Sequence, residues 1–309
     1  MRAPPKRDGG AEHLPIALRA CAKLNLTLEV LGRRPDGYHE LASVLQAIDL
    51  CDVLQVWPDG ELQLTCSAPD LSGETNLALR AARLLRAEAG VAAGARLHLV
   101  KRIPIAAGLG GGSSDAAATL LGLARLWGLG WSPARLGELA ARLGSDVPFF
   151  LRCATALATG RGEEVAPLPP LAPHWAVVVR PPLREPAPAD KTRRLYAALR
   201  SEDYRDGRAT RALAEALKAG LPPDPALLVN SFERAARDVF PEIREAEERV
   251  LAAGARWTHL AGSGPCLYTL FRADEPAEVR RARAVASRVR STGLETYLAK
   301  TLYRCLSPL

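Results

Sequence analysis

The densest run of chemically useful residues is Pro104-Ile105-Ala106-Ala107-Gly108-Leu109-Gly110-Gly111-Gly112-Ser113-Ser114-Asp115. Its glycines permit positive φ and bring main-chain N–H groups close to a ligand. The Ala-rich segment that follows predicts a helix whose N-terminal dipole points into the same space. Together they form a cradle for a di- or triphosphate. No lysine follows the glycines, which excludes a GxxxxGK[ST] loop, and the setting is not that of a GxGxxG dinucleotide fingerprint. The plainer reading, a flexible strand-to-helix turn capped by Ser113 or Ser114, accounts less well for so many glycines at one junction. Gly144-Ser145-Asp146-Val147-Pro148-Phe149-Phe150 supplies a carboxylate that is either a general base or merely an N-cap or turn former before proline. Lys23, on the polar side of an alternating segment, is by itself either a solvated strand lysine or a functional one. Paired, the two make chemical sense. A buried ammonium keeps a carboxylate ionised, holds it in place and stabilises charge on a substrate oxygen. A third glycine cluster, Ala261-Gly262-Ser263-Gly264-Pro265-Cys266, reads equally as a tight hairpin or as close backbone approach to a phosphate or to the first loop.

Those residues need elements to hold them. Leu24, Leu26, Leu28 and Val30 alternate with Lys23, Asn25, Thr27 and Glu29, which predicts a strand with leucines on one face and Lys23, Asn25 and Thr27 on the other. Arg33-Arg34-Pro35-Asp36-Gly37 reads as a turn delivering Tyr38 and His39. Further strands are predicted at 52–56, 61–66, 97–103, 154–157, 175–179, 257–261, 267–271 and 294–299. Helices are predicted at 76–87, 114–127, 133–143, 192–199, 209–219, 226–239, 241–253 and 277–290. Pro181, Pro182, Pro186 and Pro188, with a similar stretch at 167–173, mark a boundary between halves. The expected organisation is a disordered lead over 1–15, one domain over 16–170 and a second over 171–309.

Composition narrows the function classes. Hydrophobic residues make up 48% and charged residues 24%, which excludes wholesale disorder. The net charge of +7 suits an anionic ligand, but the cations are mixed with Glu and Asp and form no continuous basic tail. Lysine is rare, occurring only at 6, 23, 101, 191, 218 and 300, so a lysine inside a motif carries weight. Cysteines at 21, 51, 66, 153, 266 and 305 form no CxxC pair. They are expected as free thiols behaving as small hydrophobes in a reducing compartment. No apolar run is long enough to span a bilayer, and the first 14 residues lack a secretory apolar core. The reading is a soluble, cytoplasmic protein.

Residues 22–26 (AKLNL), 36–39 (DGYH), 104–115, 144–150 and 262–264 resemble the GHMP kinase superfamily, over nearly all of the chain from about Ala20 to Ala299. The resemblance implies an α+β, two-domain fold: an N-terminal half like ribosomal S5 domain 2, a C-terminal α/β sandwich, and an active site in the cleft between them. AKLN followed by DGYHE is similar to the member that transfers the γ-phosphoryl group of ATP to the 2-hydroxyl of a cytidine diphosphate ester of methylerythritol. On that resemblance Asp146 takes the hydroxyl proton, Lys23 holds Asp146 and the developing charge, and Asn25 binds the same end of the substrate. Tyr38 and His39 receive the cytosine, Thr192 and Tyr196 match a Thr-xxx-aromatic element, and Tyr196 closes over the base. Asn76 and Lys101 match positions near adenine and its phosphates. Pro104, Gly108, Leu109, Gly110, Gly111, Gly112, Ser113 and Ser114 form the phosphate loop. ATP is the donor, with a divalent cation, Mg2+, whose protein ligands the residues do not specify. Lys191 stands where a serine often precedes the threonine, and Ala261 and Cys266 where small hydroxyl residues are common. The implied partners are small molecules, without nucleic acid or membrane, in a monomer or weak homodimer. The alternatives are a GHMP kinase acting on mevalonate, homoserine or a sugar, an S5-like nucleic-acid-binding module, or a ligand sensor without catalysis.

Overall fold

The computed structural model describes residues 14–152, 154–184, 188, 190–303 and 306–308. The expected lead up to residue 13, Pro186, Cys153 and Cys305 lie outside the described residues. The chain opens with a long antiparallel hairpin, β1 (Ile16–Arg33) and β2 (His39–Asp59), turned at Gly37 with φ +85°. There follow β3 (Leu62–Cys66), α1 (Leu77–Ala89), β4 (Gly94–Val100), α2 (Gly111–Leu126), α3 (Pro133–Leu143), α4 (Val147–Arg152), β5 (Thr155–Thr159) and β6 (Glu164–Pro167). The second half comprises β7 (His174–Arg180), α5 (Lys191–Ala197), α6 (Arg208–Lys218), α7 (Glu233–Val239), α8 (Glu242–Ala252), β8 (His259–Leu260), β9 (Leu267–Arg272), α9 (Pro276–Ser291), β10 (Glu295–Lys300) and β11 (Leu306–Pro308).

Two sheets result, and the architecture is α+β. A seven-stranded sheet runs β11-β1-β2-β4-β3, with β5 and β6 continuing from another part of β2; a four-stranded antiparallel sheet runs β10-β7-β9-β8. The chain passes between the sheets in the stretch from Pro167 to His174, and β11 returns to pair with β1. Local sequence explains the ends of the helices. Asn76 caps α1 through Ala78 N and Gly90 stops it in the left-handed region, while Ser132 and Pro133 start α3.

Three apolar clusters fill the molecule. One packs α1, α2 and α3 on the first sheet, and one packs α7, α8 and α9 on the second. The third lies between them: Ala22, Leu24 and Leu26 of β1, Ile103, Ala107 and Leu109 of the glycine loop, Val178 of β7, and Ala261, Cys266 and Tyr268 around the third glycine cluster. Fully burying Ile103 and Leu109 contributes about 1.5–3 kcal/mol each, so the glycine loop is anchored through its apolar positions.

Several expectations are corrected. The helix expected over 114–127 starts at Gly111, so Gly111, Gly112 and Ser113 form its first turn. The Val147–Phe150 stretch, to which the sequence reading assigns no element, belongs to the short helix α4, with Pro148 tolerated in the first turn where no N–H is needed. The helix expected over 226–239 begins only at Glu233. Its front half is a 3-10 turn followed by extended chain, because Leu28 N donates to Val229 O and Ser231 N donates to Leu28 O, drawing the segment onto β1. The polar face of β1 is not solvated. Lys23, Asn25 and Thr27 are all buried, since the second half covers them. Cys21 and Cys51 are not free thiols but are joined as a disulfide. The β1–β2 register sets them directly opposite, a pairing that sequence spacing alone does not contain. Cys66 and Cys266 are free.

Candidate active site

The geometry centres on Lys23, which β1 delivers to the seam between the halves. Its ammonium is buried, donates to Asn25 Oδ1 at 2.6 Å and lies 3.6 Å from Asp146 Oδ2. Asn25 is oriented in turn, donating from Nδ2 to Ser43 Oγ at 2.8 Å, while its carbonyl accepts from the Tyr268 hydroxyl at 2.8 Å. Asp146 sits on the turn just before α4, about a third exposed, and so is open to a ligand on one side. The glycine loop meets the same place. Lys23 N donates to Leu109 O at 2.9 Å, so the loop continues the hydrogen bonding of the β1 edge. Gly110 and Gly262 stand so close to Lys23 that a β-carbon would lie 3.1 Å from its Cγ and 3.0 Å from its Nζ respectively. Three chain segments remote in sequence thus converge on one ammonium–carboxylate pair.

The loop has the shape of an anion cradle. Ala106, Gly108 and Gly110 have positive φ, and α2 starts immediately after Gly110. Gly112 borders open space, with nothing within 4 Å of a β-carbon position. Pro104 and Leu109 are buried supports, whereas Ser113 is partly exposed on the first turn of α2. Ser114 Oγ and Asp115 Oδ1 are buried without hydrogen-bond partners.

Lys101 is committed elsewhere. Its ammonium contacts Asp52 and donates to Asp115 Oδ2 at 2.6 Å, and Asp52 Oδ1 accepts from Arg102 N at 2.5 Å and Ile103 N at 2.8 Å. This triad ties β2, the end of β4 and the start of α2 together beneath the loop. Burial pushes the Asp115 carboxyl up to about 8, against the pull of the Lys101 ammonium and with the help of the Asp52 charge. Burial draws Lys101 down, but the two carboxylates outweigh it and leave it raised. Asn76 is likewise occupied: its Oδ1 caps α1 and its Nδ2 donates to Leu71 O at 2.7 Å.

The aromatic side of the site is assembled from both halves. His39 stacks on Tyr196 with centroids 4.5 Å apart, and Tyr204 OH lies 3.3 Å from His39 Nε2. Phe232 abuts Tyr196 edge-on. Burial, then the Arg33 charge, hold His39 below its ordinary range, so it is neutral at pH 7. Burial and the nearby Asp146 carboxylate raise the Tyr196 phenol, which places Tyr196 within electrostatic reach of the Lys23 pair. Tyr38 is exposed, with the Arg161 guanidinium 4.8 Å over its ring. Thr192 Oγ1 lies 3.2 Å from Ser263 Oγ of the third glycine cluster.

Sequence reasoning gave no role to Asp52, Asp115, Arg161, Tyr204 or, above all, Lys191, which it noted only as standing in place of a serine. The scarcity of lysine was the signal that could have singled out the last. A cavity of about 340 Å3 lined by His174, Trp257, Phe271 and Arg281 lies elsewhere in the second half and contains none of these groups. Its Arg281 is bonded to Gly254 O. The converging pair beside the loop, not that cavity, has the groups phosphoryl chemistry needs.

The comparisons with known proteins agree on the class. Residues 76–153 match the GHMP kinases N terminal domain and residues 208–287 the GHMP kinases C terminal family. A solved homoserine kinase from Cytophaga hutchinsonii shares the fold at 16% identity, TM-score 0.70, covering 98% of this chain and all of that one. Nearer relatives narrow the class. The 4-diphosphocytidyl-2-C-methyl-D-erythritol kinase of Dehalococcoides mccartyi is 42% identical over 93% of this chain and 98% of its own, and that of Pelotomaculum thermopropionicum is 44% identical over the same shares. A crystal structure of a 4-(cytidine 5'-diphospho)-2C-methyl-D-erythritol kinase, 41% identical, superimposes with TM-score 0.74 over 93% of this chain and 99% of that one. The chain belongs to the GHMP kinases and, within them, to the 4-diphosphocytidyl-2-C-methyl-D-erythritol kinase family.

Proposed function

We propose that the chain transfers the γ-phosphoryl group of ATP to the 2-hydroxyl of 4-diphosphocytidyl-2-C-methyl-D-erythritol, in the methylerythritol phosphate route to isoprenoids. The observation that carries this reading is the Lys23–Asp146 pair, 3.6 Å apart, beside a glycine loop that runs into α2. Asp146 accepts the hydroxyl proton as the substrate oxygen bonds to the γ-phosphorus. The β–γ bridging bond breaks, and its electron pair leaves with ADP. Lys23 holds Asp146 in place and faces the charge that develops on the transferring group. Phosphoryl transfer asks a protein mainly for positioning and charge stabilisation, and main-chain amides of residues 108–114, the α2 dipole and Lys23 supply both.

Asn25, fixed by Ser43, holds the end of the substrate near the reacting hydroxyl. Tyr38 offers its ring to the cytosine, and the neutral imidazole of His39 offers a nitrogen to the base edge. Tyr196 already carries His39 on its face, so closing over the base requires His39 to leave that stack and present its edge. Thr192, beside Ser263, lines the same end of the site. Asn76 and Lys101 act on the nucleotide through the framework they hold rather than by a free polar group. A magnesium ion arriving with ATP would be held chiefly by the phosphates, because no group of three or more His, Cys, Asp or Glu side chains suited to a metal occurs among the described residues. The chain's contribution would be the orphaned Ser114 Oγ, and the ion would neutralise phosphate charge. Every group named comes from one chain, so a monomer suffices. No described helix is long and apolar enough to cross a membrane, in keeping with a cytoplasmic small-molecule kinase.

The test is ADP release from ATP with the cytidyl substrate, mevalonate and homoserine offered side by side. Turnover with the cytidyl substrate alone is expected; a preference for mevalonate or homoserine would reject the assignment.

A further inference from the structure

Lys191 is the first residue of α5 and is buried at 6% exposure. Its ammonium pairs with no carboxylate among the described residues. Instead it donates to two main-chain carbonyls, Ala106 O of the glycine loop at 2.9 Å and Gly264 O of the third glycine cluster. These loops come from different halves of the chain and approach each other closely. At Gly108 a β-carbon would fall 1.9 Å from Ala261 O, and at Gly262 one would fall 2.7 Å from Gly108 O. Ala106 has φ +55°, a left-handed conformation that a non-glycine residue holds only when its surroundings impose it. The lysine's bond to its carbonyl is such an imposition. Thr192, next in sequence, reaches Ser263 of the same cluster, so the start of α5 is fastened to the seam at two points.

We infer that Lys191 is a positioning residue for nucleotide binding, a charged clasp that holds the phosphate loop against the Gly262–Pro265 turn and keeps a second cation beside Lys23. The inference rests on reading the glycine loop as the nucleotide site. A methionine side chain of similar length could fill the space but has no N–H to donate to either carbonyl. The groups facing the ammonium are few. Lys23 from β1 opposes a second positive charge; the Cys266 thiol at the start of β9 is pushed up to about 12 by burial and stays neutral; the glycine loop contributes carbonyls only. Burial, together with Lys23, brings Lys191 down to about 8. The clasp is therefore charged at neutral pH; as pH rises through about 8 in the free protein the amine keeps two N–H donors for the carbonyls but loses the positive charge that attracts polyphosphate. Bound polyphosphate, an anion placed near it, favours the protonated form.

The experiment is calorimetric titration of ATP into the full-length wild type and Lys191→Met, without the second substrate, from pH 6.5 to 9.5, with melting temperatures recorded alongside. Lys191→Met is expected to bind ATP at least tenfold more weakly at pH 7. The wild-type affinity should fall toward that of the variant above pH 8, by up to tenfold per pH unit for one proton, while the variant shows no such limb. Equal affinities within twofold at pH 7, or a wild-type advantage that stays constant to pH 9.5, would overturn the inference. If Lys191→Met does not fold, Lys191→Arg, which stays charged across the range, decides instead: an affinity that falls above pH 8 as in the wild type overturns the inference, and one that stays flat to pH 9.5 supports it. Failure of the wild type to bind ATP at any pH would sink the phosphotransfer reading and this inference together, whereas binding without the pH limb sinks only the clasp.

Discussion

Gly108→Ala is the substitution that most directly probes the seam on which the site is built. Gly108 has φ +81°, a conformation that costs an alanine about 1–2 kcal/mol. Its β-carbon would also stand 1.9 Å from Ala261 O and 2.9 Å from Gly264 N. Ordinary contact begins at 3.4 Å, so the two backbones must part by about 3.4 − 1.9 = 1.5 Å. Both are braced, the one by buried Leu109 and the other by the Asn230 amide, which donates to Leu260 O and Gly262 O. Forcing packed groups apart in this way costs about 1–3 kcal/mol. The sum is about 2–5 kcal/mol, or roughly 4–10 °C in melting temperature at about 2 °C per kcal/mol for a chain of this size. Gly112→Ala is the control. It has ordinary φ and no neighbour within 4 Å, and in the first turn of α2 alanine is the better helix former. Its melting temperature should hold or rise slightly, while ATP affinity falls, because the open space above it is where a phosphate must lie. Thermal melts followed by ATP titration of both variants read the two effects separately. Gly108→Ala melting within about 1 °C of wild type would refute the contact between the loops.

Three further outcomes follow from the site. Asp146→Asn should lose about 10²–10⁴ in kcat with ATP affinity unchanged within about twofold, and a near-normal rate would remove Asp146 as the base. Tyr38→Ala should raise KM for the cytidyl substrate, leaving KM for ATP unchanged. Loss of one base–aromatic stack, about 1–3 kcal/mol, corresponds to roughly 5- to 150-fold, and an unaltered KM would move the cytosine elsewhere. Lys101→Met leaves Asp52 and Asp115 buried without their ammonium and should destabilise by about 3–5 kcal/mol in urea unfolding. Asp115→Asn should be milder, since Asp52 still pairs with the Lys101 ammonium; equal losses in the two variants would contradict that sharing.

What could be read from the chain and what could not divides along sequence distance. The alternation from Lys23 to Val30 sets strand and facing because a period of two is a local property, and the glycine loop is recognisable because its conformational demands sit in adjacent residues. The Lys23–Asp146 pairing was inferred from chemical complementarity, and the fold brings the two within 3.6 Å. The burial of the polar face of β1 was hidden, since the elements that cover it lie some 180 residues on: Thr210 N donates to Glu29 Oε2 and Thr210 Oγ1 to Thr27 Oγ1. The helix expected over 226–239 failed for the same reason. Its propensity is local, whereas the hydrogen bonds that unwind its first half come from Leu28. Lys101 is a further case. The resemblance sets it near adenine and its phosphates, and what the sequence did not show is that two carboxylates, one from β2 and one from α2, reach its ammonium.

Two of the six lysines, Lys23 and Lys191, therefore stand at the junction of the halves, and each is held by groups from several remote segments. Lys23 has a carboxylate partner 3.6 Å away; Lys191 has only carbonyls, and burial draws it down to about 8. That difference separates their duties. A group that must stabilise charge during transfer benefits from a fixed countercharge that orients it, whereas a group that draws a polyphosphate into place works best when its own countercharge is absent until the ligand brings it. The two loops are already joined through Lys191 before any anion arrives, so a variant that removes its charge and its donors should hold the seam less well, not better.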